Sequence, residues 1–133
     1  MKKFVILTSL FLMSILLFGQ IEKWMYITDR NDGIVKYINM DDPSSIMQFA
    51  TGDLYKPYGI AVDPENGYVF VSDTDGFIFR YNLDGTEVIT ILNVAANPLV
   101  DAPYGLMVLD GKLYWGREGG IGRCNFDGSE AEL

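Results

Sequence analysis

The sequence predicts an all-β chain of short antiparallel strands grouped in repeated units, and three observations carry that reading. An aromatic-led tetrapeptide recurs as Tyr26-Ile27-Thr28-Asp29, Phe70-Val71-Ser72-Asp73 and Tyr114-Trp115-Gly116-Arg117, with 44 residues between successive copies. Its C-terminal flank recurs as GIVKYINMDD (Gly33 to Asp42), GFIFRYNLDG (Gly76 to Gly85) and GIGRCNFDG (Gly120 to Gly128). The segment PYGIAVD, Pro57 to Asp63, returns as PYGLMVL, Pro103 to Leu109, 13 and 11 residues ahead of the next tetrapeptide. Several short strands in a period of this length predict a partial β-propeller of about two and a half four-stranded antiparallel blades.

The complete unit gives each strand its reason. Gly59 to Val62 is an apolar run closed by the turn DPENG, Asp63 to Gly67. Tyr68 to Ser72 is apolar or β-branched and ends at TDG; Phe77 to Asn82 alternates and ends at LDG; Glu87 to Leu92 alternates again. The runs are too short, and too broken by Gly and Asp, for ordinary helices. Tyr68 to Val71 does not alternate because a blade strand is covered on both faces by neighbouring blades. The aromatics Tyr26, Phe70 and Tyr114 hold equivalent places, where rings are expected to fill the wedge between blades.

The first unit starts at its second strand, near Trp24, and the third stops after its third, so the units are a partial blade over 23–50, a full blade over 57–92 and a partial blade over 103–133. An open stack leaves two apolar faces bare, which invites association. Three explanations stay open: part of a longer gene product that supplies further blades, two copies assembling one ring, or a marginal remnant.

These residues resemble the YWTD repeats, the class B repeats of the low-density-lipoprotein receptor family. The resemblance rests on Tyr26 to Asp29, Phe70 to Asp73, Pro57 to Asp63, Asn82-Leu83-Asp84-Gly85 and Asn125-Phe126-Asp127-Gly128, and covers Lys23 to the end. It implies a six-bladed propeller serving as an extracellular binding or scaffolding module. It also implies that the Asp closing each tetrapeptide has a structural hydrogen-bonding role. The third copy departs, with Gly116-Arg117 in place of Thr-Asp.

The N-terminus reads as a leader. Met1-Lys2-Lys3 is basic, Phe4 to Phe18 is apolar but for Thr8, Ser9 and Ser14, and Gly19-Gln20 opens a polar segment. A signal peptide over 1–19 is expected, followed by repeats over 20–133; an uncleaved anchor is the alternative. Its removal leaves eight Lys and Arg against 18 Asp and Glu, a net charge of −10. That acidity speaks against nucleic acid and anionic membrane surfaces, so no nucleic-acid partner and no membrane contact beyond the leader are expected. Cys124 is the single cysteine, and no Asn-x-Ser/Thr sequon occurs. An exported chain without disulfides points to a secreted, periplasmic or cell-envelope protein of bacterial type.

The chain has no histidine, which removes Ser-His-Asp and Cys-His nucleophile systems and histidine-ligated metals. The paired carboxylates Asp29 and Asp73 are equivalent by repeat, and turn capping explains them without catalysis. The acidic turns lack the ligand spacing of a helix-loop-helix calcium site. No catalytic residue, metal or cofactor is therefore expected. The candidate ligand-binding residues are Tyr58 and Tyr104, which precede the innermost strand of a blade near one mouth of the channel. Their flat amphipathic rings suit a protein, peptide or carbohydrate ligand; packing on Pro57 and Pro103 is the plainer alternative. The expectation is a non-catalytic binding module. The rival is a fragment of a gluconolactonase-like propeller hydrolase or lactonase, against which Tyr58 and Tyr104 count, since a neutral phenol is a poor ligand for a hard metal.

Overall fold

The computed structural model describes residues 23–50 and 54–133; the expected leader over 1–19 lies outside them. The described residues form ten strands in three antiparallel sheets, each in sequence order. The first sheet holds β1 (Trp24–Asp29), β2 (Ile34–Asn39) and β3 (Asp42–Ala50). The second holds β4 (Pro57–Asp63), β5 (Tyr68–Asp73), β6 (Phe77–Asn82) and β7 (Val88–Asn93). A 3-10 turn at Pro98–Val100 leads to the third, β8 (Leu106–Leu109), β9 (Lys112–Arg117) and β10 (Gly120–Cys124). Among the described residues the fold is all-β and propeller-like, with no closed barrel. No helix among the described residues is long and apolar enough to cross a membrane.

Side-chain alternation divides the core in two. From the second sheet, Val69, Val71, Phe79 and Tyr81 point one way, into a cluster with Val35 and Phe49 of the first sheet. Phe70, Ile78 and Leu92 point the other way, against Leu113, Trp115 and Cys124 of the third. The central sheet is thus apolar on both faces, and the continuous apolar run in β5 follows. Rings dominate both seams: Phe49 meets Tyr81 edge-on at 5.8 Å between centroids, and Phe70 meets Phe126 at 5.1 Å. Fully burying side chains of this size contributes roughly 1.5–3 kcal/mol each.

Three strands differ in extent from the sequence expectation, β5 by running one residue further, to Asp73. β4 begins at Pro57, two residues before Gly59, because Pro57 pairs with Asp73 across a register irregularity. β7 is shifted by one residue, to Val88–Asn93. The equivalent aromatics divide as well. Tyr26 and Phe70 lie between sheets as expected, but Tyr114 pairs with Met107 and Arg123 on the outward face of the third sheet. The neighbouring Trp115 fills the seam instead, and a methyl group at Gly122 would run into its indole ring.

Candidate functional site

The turns after β1, β5 and β9 and the segments entering β4 and β8 gather at one end of the sheets, and this end carries the candidate site. Gly59 explains how it is assembled. A Cβ there would collide with the Tyr104 carbonyl, the Ser72 hydroxyl and the Leu106 N–H. Only glycine lets β4 and β8 approach so closely. Ser72 then bridges them: its hydroxyl accepts the Gly59 N–H at 2.8 Å and donates to the Tyr104 carbonyl at 2.5 Å. One sheet earlier, the Thr28 hydroxyl donates to the Tyr58 carbonyl at 2.9 Å. The hydroxyls of the first two tetrapeptides, on Thr28 and Ser72, therefore clasp the Pro-Tyr-Gly segment of the following sheet.

With their carbonyls held, both tyrosines turn their rings to solvent. The rings of Tyr58 and Tyr104 lie 5.5 Å apart at 69°, and they are 48% and 41% exposed. Pro57 and Pro103 beneath them are buried. The Arg30 guanidinium lies 5.7 Å from the Tyr58 ring, and the Lys56 ammonium 4.6 Å from that of Tyr55. Arg30, Lys56 and Arg117 all belong to this end, and none forms an ion pair with a described residue. In a chain of net charge −8, Arg30 and Lys56 beside exposed tyrosine rings, with Arg117 at the same end donating to the Leu99 carbonyl, make this rim chemically distinct.

The structure thus brings Tyr58 and Tyr104 into contact. Sequence reasoning passed over Arg30, Lys56 and Tyr55. Their signal was positional: residues just after a tetrapeptide and just before Pro-Tyr-Gly must share one end of an antiparallel sheet. Two clefts lie at the opposite end. One of about 420 Å³ is lined by Trp24, Tyr26, Tyr37, Leu83 and Asp84. Another, of about 440 Å³, opens near Asp63 and Asp110. The tyrosine rings themselves lie open to solvent and, among the described residues, are not enclosed in a pocket.

The paired aspartates have structural partners. Asp73 is buried, and its carboxylate accepts the N–H groups of Tyr55 at 2.6 Å, Lys56 at 2.9 Å and Asp75 at 3.1 Å. It therefore fixes the segment that enters the rim. Asp29 accepts from the Asn31 and Asp32 amides and from the Lys36 ammonium at 2.6 Å. The Lys36 hydrogen bond, first, and the Asp32 amide hold its carboxyl below the ordinary aspartate value. No group of three or more His, Cys, Asp or Glu side chains among the described residues is arranged to hold a metal ion.

No protein-family model matches the chain, and no curated protein matches it. Among solved structures, the chain is similar to one described as the crystal structure of a nidogen/laminin complex, with a TM-score of 0.74. The identity is 23%, over 84% of this chain and 43% of that one. The likeness is one of fold. The chain spans less than half the length of that neighbour.

Proposed function

We propose that this chain is an exported, non-catalytic binding module, built from YWTD-type repeats on part of a six-bladed propeller, with the Tyr58–Tyr104 rim as its contact surface. The observation that carries the reading is the exposed ring pair with Arg30 beside it, on a backbone held in place by inter-sheet hydrogen bonds to the Tyr58 and Tyr104 carbonyls. The rigid strands position the rim, and the loops there supply specificity. The fold neighbour is itself a complex of two proteins, which supports a protein or peptide ligand for this chain; tyrosine rings serve a carbohydrate as well. The leader-like N-terminus and the absence of disulfides support a secreted or bacterial-envelope location.

The test is a binding screen of the chain against arrayed peptides and oligosaccharides, followed by Tyr58→Ala and Tyr104→Ala. The reading predicts capture without turnover, lost in both variants while the melting temperature holds. Capture unaffected by both substitutions, or product release from a bound ester or lactone, contradicts it.

A further inference from the structure

The two seams between the sheets repeat at equivalent residues, and they part at one place. In the second seam, Arg80 of β6 lays its guanidinium over the Tyr68 ring, 4.4 Å from the centroid, and donates to the Phe126 carbonyl at 3.1 Å. Asp127 follows Phe126 in the Asn-x-Asp-Gly turn of the third sheet. The Ser129 hydroxyl and amide, and after them the Arg80 charge, hold the Asp127 carboxyl below its ordinary value. A ring, a carbonyl and a carboxylate thus act on one guanidinium, whose plane, donors and charge suit all three.

The first seam repeats the ring, the carbonyl and the carboxylate. β1 pairs Tyr26 with Tyr37 as β5 pairs Phe70 with Arg80, so Trp24 corresponds to Tyr68 and Tyr37 to Arg80. The turn Asn82 to Gly85 corresponds to Asn125 to Gly128, which sets Leu83 and Asp84 in the places of Phe126 and Asp127. Tyr37 carries no cation. Its ring lies on Trp24 instead, with 4.9 Å between centroids, and beside the pair opens the cleft of about 420 Å³ lined by Trp24, Tyr26, Tyr37, Leu83 and Asp84. The Leu83 carbonyl accepts the Tyr26 hydroxyl at 3.1 Å, and a carbonyl oxygen has a second lone pair for another donor. Asp84 uses Oδ1 for both the Thr86 hydroxyl and the Thr86 N–H, and it forms no ion pair with a described residue. A carboxylate beside three aromatic rings in an open cleft is the chemistry that attracts a delocalised cation.

We propose that this cleft binds an arginine side chain of a basic peptide, its guanidinium lying against the aromatic wall and donating to Asp84 and the Leu83 carbonyl. Arg80 is the example within the chain, on Tyr68 and the Phe126 carbonyl. The net charge of −8 favours a basic peptide over a neutral or acidic one. Arginine suits the site better than lysine, because a guanidinium is planar, stacks on rings and gives up water more readily than an ammonium.

The experiment titrates the full chain with N-acetylarginine amide, which presents the side chain as a peptide does, and follows the indole N–H signals of the two tryptophans by NMR. Trp24 lines the cleft; Trp115 is buried and donates to the Leu99 carbonyl, so its signal is the internal reference. A saturable shift of the Trp24 signal alone is expected. The citrulline amide, neutral and of similar shape, is expected to give none, and the lysine amide to bind about tenfold more weakly. Asp84→Asn keeps an oxygen for Thr86 but loses the charge, and is expected to weaken binding about tenfold. Tyr37→Arg gives the first seam the arginine of the second and is expected to abolish the shift. Circular dichroism checks that both variants fold; if Tyr37→Arg unfolds, Asp84→Asn, at an exposed turn position, decides. A wild-type chain with no saturable Trp24 shift overturns the proposal, and another part of the chain filling the cleft appears as that outcome. Equal binding of the citrulline or lysine amide, or full affinity in a folded variant, overturns it as well. Neither result bears on the Tyr58–Tyr104 rim, which lies at the other end of the sheets.

Discussion

The Ser72 hydroxyl joins two sheets by accepting the Gly59 N–H at 2.8 Å and donating to the Tyr104 carbonyl at 2.5 Å, so a single buried oxygen sets the spacing beneath the exposed ring pair. Ser72→Ala leaves a buried N–H without its acceptor and is expected to cost about 1–3 kcal/mol. Thr28→Ala removes a more exposed bond and should cost about 0.5–1 kcal/mol. Urea unfolding at neutral pH measures both; equal, negligible losses contradict the clasp.

Glycine in the Asn-x-Asp-Gly turn answers two demands at once. Gly128 has φ of 84°, and a Cβ there would strike the Ile91 carbonyl. Gly67 has φ of 77° but open space around it. Gly67→Ala should therefore cost only the left-handed backbone penalty, about 1–2 kcal/mol. Gly128→Ala should cost about 1–3 kcal/mol more, as an overpacked site does. Thermal unfolding of the two variants side by side tests the difference.

Stability on the acid side is expected to depend on the turn aspartates. Asp84 accepts the Thr86 hydroxyl at 2.6 Å and its N–H at 3.0 Å; Asp127 accepts the Ser129 hydroxyl at 2.6 Å and its N–H at 2.9 Å. Those hydroxyls, followed by the amides, lower both carboxyl pKa values from the ordinary 3.8. A lowered folded pKa stabilises above the unfolded value and is lost as pH falls through the folded one. The contribution is therefore full above about pH 5 and fades below about pH 4. Asp84→Asn with Asp127→Asn should be less stable than wild type at neutral pH, and the gap should narrow below pH 4. Urea midpoints across that range provide the check.

Cys124 sits buried in the seam between the second and third sheets. Burial pushes its thiol up to about 11, Asp127 adds to the shift and Lys112 opposes it. Iodoacetamide at about pH 8 should leave the native thiol unmodified and label it fully in denaturant. Rapid labelling of the folded chain contradicts the packing.

Much of the fold was legible because the repeat fixes strand order and the direction each side chain faces. The run Tyr68 to Val71 identified a strand covered on both sides, and its two faces pack on different sheets. The pair Tyr58 and Tyr104 was legible as positions, but their contact depends on Gly59 letting two inner strands meet, a tertiary fact. The outward turn of Tyr114 was not legible from the motif, since the motif specifies which way a ring points and not whether a sheet lies there. Arg30 was overlooked because its partner is a ring 28 residues away in sequence, in another sheet.

The central claim is that the middle sheet is packed on both faces, by the first sheet on one side and the third on the other. Proton–proton Overhauser contacts between aromatic rings in the folded chain test it most directly. The account predicts cross-peaks from Phe49 to Tyr81 and from Phe70 to Phe126, the pairs that bridge the two seams. A folded chain that shows neither contact contradicts it.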